Sequence, residues 1–88
     1  MHTHLTHLPT HKTMEAQMHA ARVVRKALRT MGSEVMPATF EAIRANVLTT
    51  LAEHHAALGP MYKPIQEEVN KGISITRVRV GQFKHLQK

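Results

Sequence analysis

The sequence predicts a single, mainly helical domain with a small β element towards its C-terminal end. Three observations predict it. Apolar residues recur at helical intervals over two long stretches, one short stretch alternates as a strand does, and glycine and proline fall at the joints between them. At 88 residues the chain is the size of one domain. A core of that size is modest unless a partner adds to it.

Residues 1–12 (MHTHLTHLPTHK) carry little apolar mass and cannot offset their ordering entropy, so a mobile tail is expected, with 13–88 as the folded domain. A first helix is expected over 14–31. Met14, Met18, Ala21, Val24, Leu28 and Met31 follow the helical period, Thr13 suits the N-cap, and Gly32 ends the run. Arg22, Arg25, Lys26 and Arg29 form a basic stripe on its other side, read first as a solvated face and second as a phosphate-contacting one. A second helix is expected over 38–58, with Pro37 at its start, Phe40, Ile43, Val47, Leu51 and Leu58 on its apolar face, and Gly59-Pro60 as its stop. The adjacent β-branched Thr49 and Thr50 leave open a break into two shorter helices. A short helix is expected over 64–71, between Pro64 and Gly72. Residues 73–80 (ISITRVRV) are β-branched and alternating, the one strand signal, and Phe83 and Leu86 supply a last apolar anchor.

Lys plus Arg number 12 against 6 Asp plus Glu, a formal charge of +6, and every acid is a glutamate. Such a balance points to nucleic acid, an anionic membrane surface or an acidic protein. The charge is segmental. Arg22 to Arg29 and Lys71 to Lys88 hold bases and no acid, while the stretch between them is mildly acidic. These two basic segments either meet on one face of the folded chain or lie at opposite ends. With no cysteine there is no disulfide framework and no thiolate metal site. No apolar run approaches the roughly 18 residues that span a bilayer. No secretory leader is seen, so a soluble, cytoplasmic protein is expected.

The order helix, helix, short helix, basic strand resembles a winged helix-turn-helix domain, whose third helix enters the major groove and whose strands form a basic wing. On that resemblance Lys63, Gln66, Asn70 and Lys71 belong to the recognition region. Gln and Asn suit adenine, and Lys suits guanine or phosphate. Arg77, Arg79 and Lys84 become wing contacts, with Ser74 and Thr76 donating to phosphate oxygens. Glu67 and Glu68 sit awkwardly in such a helix, because two carboxylates repel phosphate. A second register avoids them: 64–71 as the first helix of the motif, Gly72-Ile73-Ser74 as the turn, and 75–88 as the reading helix presenting Thr76, Arg77, Arg79, Gln82 and Lys84. The strand is preferred for its alternation, and the second register stays open. Ala27–Val47 (ALRTMGSEVMPATFEAIRANV) also resembles the start of the KfrA-type plasmid DNA-binding domain, through its helix, glycine, proline and second helix with the Ile43-Arg44 pair.

No nucleophile constellation, paired-carboxylate site or glycine-rich phosphate loop is present, so neither an enzyme nor a cofactor is expected. His2, His4, His7 and His11 match no closed metal site, and no metal is expected. His54 and His55 read as surface, capping or core-facing residues. The methionines read first as an adaptable core. The scarcity of aromatics argues against single-strand or RNA binding. The functional expectation is a small regulator or accessory protein of a plasmid or phage that binds double-stranded DNA as a homodimer through its two long helices. The alternative is an inhibitor or adaptor that meets an acidic protein surface with the same charge. A membrane-surface helix over 14–31 is a third reading, weakened by its lack of Trp or Phe.

Overall fold

A computed structural model of the chain describes residues 11–33 and 36–86, with side chains described over 12–33 and 36–82. The described residues form α1 (His11–Gly32), α2 (Pro37–Glu53), the one-turn α3 (His55–Leu58), a 3-10 turn (Gly59–Met61) and α4 (Tyr62–Leu86). No strand occurs among them. The expected β element, and with it the winged helix-turn-helix architecture, is therefore replaced by an all-helical bundle of α1, α2 and α4. The expected tail falls mostly outside the described residues, although His11 and Lys12 already belong to α1.

The bundle follows from amphipathicity. Ala20, Ala21, Val24 and Met31 of α1 meet Phe40, Val47 and Leu51 of α2 and Ile65 and Val69 of α4 in one buried cluster closed by Leu58. Each fully buried aliphatic side chain contributes about 1.5–3 kcal/mol. Pro37 sits in the first turn of α2, where its missing N–H costs nothing, behind an extended Met36. The break expected near Thr49-Thr50 comes slightly later, at His54. There the backbone N–H and the ring Nδ1 both lie against the Thr50 carbonyl, at 3.2 and 2.9 Å. Gly59 has φ +54°, a backbone conformation that L side chains rarely adopt, so this corner favours glycine; the Gln17 amide 3.1 Å from an added Cβ is the flexible end of its side chain.

α4 carries the main correction. The expected helix over 64–71 and the expected strand over 73–80 are one continuous helix, and no turn interrupts it at Gly72–Ser74. Both helix-turn-helix registers lose their geometry at that point. The local cost is real, since α4 holds five β-branched residues between Ile73 and Val80, plus Gly72 and Gly81 at about 1 kcal/mol each relative to Ala. Packing outweighs it. Ile65, Val69, Ile73, Thr76 and Val80 recur at intervals of four, four, three and four, the spacing of a helix stripe, and all of them are buried or half-buried.

Three contacts, one to the 3-10 turn and two to α4, fix the register of α1. Gln17 lies by Gly59, Leu28 packs so closely on Gly72 that an added Cβ would stand 2.6 Å from its Cδ1, and Arg79 Nη1 donates to the Gly32 carbonyl at 3.0 Å. The partners advance together along both chains, so α1 and α4 run parallel, with α2 returning between them.

Candidate nucleic-acid interface

The parallel pairing of α1 and α4 staggers the two basic segments along one side, with Lys71 beside the α1 stripe and Arg79 at the C-terminal end of α1. On α1, Arg22, Arg25 and Arg29 recur at three and four residues and share a face; all are exposed, as is Lys26 at its edge. On α4, Glu68, Lys71, Ile75, Val78 and Gln82 recur at three, four, three and four and form the matching exposed face. The two are pinned together where Arg25 donates to Glu68 through a two-pronged contact, Nε to Oε1 at 3.1 Å and Nη2 to Oε2 at 2.8 Å. The hydrogen bonds from Arg25 hold the Glu68 carboxyl below its ordinary pKa, against an opposing desolvation, and raise the guanidinium above its own. Both side chains are almost half exposed, so solvent screening limits the pair to about 0.2–1 kcal/mol.

Two carboxylates share this face among the described residues, Glu68 at its middle and Glu15 at the N-terminal end of the α1 stripe, three residues before Met18 and seven before Arg22. Arg22, Lys26, Arg29 and Lys71 have no ion-pair partner there. Arg79 is tethered rather than neutralised. Its bond is to the Gly32 carbonyl, a neutral acceptor at the negative end of α1. Along α1, beside the 3-10 turn, Met18, Ala21, Arg22, Arg25, Arg29 and Met61 line a shallow groove of about 200 Å³. Exposed apolar side chains stand at both ends of the face: Met14 and Met18 at one, Ile75 and Val78 at the other.

The site residues expected from sequence do not stay together. Thr76 is only 4 % exposed and packs in the core, so it reaches no phosphate. Arg77 and Arg79, expected on one strand face, are roughly 200° apart on a helix. Lys63, Gln66, Asn70, Ser74 and Arg77 recur at three, four, four and three along the flank of α4 turned away from the α1 groove. Gln66 is half-buried, with its Nε2 at 3.4 Å from the Tyr62 hydroxyl, and the others are exposed. Lys71 and Arg79, with Gln82 of the second register, are the expected residues that lie on the α1 side. The side chain of Lys84 lies outside the described residues. Conversely, the stripe of Arg22, Arg25 and Arg29, first read as merely solvated, is the larger part of the basic face. Arg25 and Glu68 are 43 residues apart, and no local pattern announces their pairing.

The four N-terminal histidines weighed as metal ligands fall where the side chains are not described. No cluster of three metal-ligating side chains occurs among the described residues. His55 stacks on Tyr62 with ring centroids 3.7 Å apart, a structural role at the α3–α4 corner. No helix among the described residues is long and apolar enough to cross a membrane. Comparison with family models, with curated proteins and with solved structures returns no match.

Proposed function

We propose that this chain binds duplex DNA through the sugar–phosphate backbone, using the α1/α4 face. The observation that carries the reading is the parallel register that sets Lys71 beside the Arg22, Arg25 and Arg29 stripe of α1 and Arg79 at its far end, making one mainly cationic surface. Arg22, Lys26, Arg29 and Lys71 are exposed cations on rigid helices. Binding by neutralising phosphates needs no base readout and no wing. Among the residues first expected to read bases, Asn70 and Gln66 lie on the far flank of α4, which supports backbone contact over sequence recognition.

A second copy docked on this same face would meet it with like charge. Pairing of two copies on one DNA site, which the small size of the module favours, therefore uses another surface. Sedimentation with and without DNA measures that stoichiometry.

The exposed Met18, Ile75 and Val78 favour one second reading, an acidic, partly apolar protein segment laid along the same face. The deciding experiment is fluorescence anisotropy on a random-sequence 20-base-pair duplex across a potassium chloride series. The DNA reading expects affinity to fall with salt by a log–log slope of about −0.9 for each phosphate neutralised. No anisotropy change at the lowest salt removes the DNA reading and leaves the protein segment.

A further inference from the structure

Glu68 stands where a phosphate would bind. Its two carboxylate oxygens fill the fork of Arg25, the geometry in which a guanidinium also grips two phosphate oxygens. Arg22 and Arg29 flank Arg25 at three and four residues, and Lys71 follows Glu68 by three, so cations surround the position. The pair is accessible, with side chains 43 % and 44 % exposed, and exchanging one partner requires no opening of the core. We propose that Glu68 is an internal competitor for DNA: in the free protein it occupies Arg25, and on binding a backbone phosphate displaces it. The proposal rests on the DNA reading above and adds to it a residue that sets affinity. Such a device keeps the most central cation of the face folded against the protein until a polyanion arrives, and it makes binding readily reversible.

The test is the same anisotropy titration on random 20-base-pair duplex, with Glu68→Gln compared against Glu67→Gln. Glu67 is an exposed neighbour with no ion pair, so its substitution makes the same change in net charge without freeing Arg25. Glu68→Gln is expected to tighten binding by about tenfold near 0.1 M salt, with a log–log salt slope close to the parent's, because the same phosphate meets Arg25 in both complexes. Glu67→Gln is expected to tighten binding by no more than about twofold. In an Arg25→Ala background, the advantage of Glu68→Gln over Glu67→Gln disappears. Equal behaviour of the two glutamine variants, or weaker binding by Glu68→Gln, overturns the competitor while the DNA reading stands. Absence of binding by every variant at low salt overturns the DNA reading itself. Should Glu68→Gln fail to fold, the unsubstituted protein still decides the matter. Its Arg25 Nε–H resonance shifts during DNA titration if phosphate replaces Glu68, and stays fixed if the pair persists.

Discussion

The outer face of α2 and the shared face of α1 and α4 cover the same core and differ in everything else. On α2, Ala38, Ala42, Ala45, Thr49 and Ala52 recur at helical spacing and are exposed. Its one arginine, Arg44, lies 3.6 Å from Glu41 one turn before it. On the α1/α4 side the middle of the face is long and cationic, opposed by Glu68 within it and Glu15 at its N-terminal end. A chain with a formal charge of +6 has thus placed its surplus asymmetrically. The comparison teaches that composition names the kind of partner while register chooses the surface. Had α1 and α4 packed on opposite sides of α2, the same residues would have made two weak stripes.

Charge reversal is the largest test of that asymmetry. Arg22→Glu with Arg29→Glu is expected to weaken duplex binding by about 1,000-fold near 0.1 M salt, because two phosphate contacts become two repulsions. Ala42→Glu with Ala45→Glu lies across the bundle, about a Debye length away, and changes affinity by no more than a few-fold. Equal losses in a mobility-shift assay would erase the distinction between the faces.

Next in size is the shared core. Leu58→Ala, at a fully buried side chain, is expected to cost about 2–5 kcal/mol in urea unfolding, with both faces lost in one transition. Two separate transitions would mean that the faces do not depend on a common core. Register is probed by glycine. Gly72→Leu forces a side chain into the Leu28 contact and is expected to cost about 1–3 kcal/mol. Gly81→Ala meets nothing within 4 Å and is expected to stabilise the helix by up to about 1 kcal/mol.

The smallest effect sharpens the role of Glu68. Its carboxyl pKa is lowered in the folded state, so its contribution is present above the unfolded value and is lost as pH falls through the folded one. Glu68→Gln should therefore be less stable than the parent by about 0.2–1 kcal/mol at neutral pH. That difference should vanish in strong acid, as thermal melts at both pH values would show.

Much of this was legible in the residues. α1 was readable from Val24, Leu28 and Met31, and α2 from Pro37, Phe40, Val47 and Leu51, because each stripe is long enough to show its period. The stretch 73–80 was not, because ISITRVRV satisfies two periods at once. Ile73, Ile75, Arg77 and Arg79 alternate as a strand, while Ile73, Thr76 and Val80 continue the helical stripe from Ile65 and Val69. Eight residues cannot settle the choice by propensity, and β-branching tilts it the wrong way. The candidate interface was half legible: both basic segments could be read, but the division of Arg77 from Arg79 and the burial of Thr76 depend on the choice of helix.

The residues alone determined a small basic domain, two amphipathic helices with their glycine and proline stops, and two cationic segments free of acid. Those properties are local, written in spacing and composition. The tertiary structure decided that the C-terminal segment is helical, that α4 runs parallel to α1, and that Glu68 reaches Arg25. The reason is that a helix poor in intrinsic propensity exists only because two others bury its stripe, and contacts between distant residues follow from how those three stripes interlock.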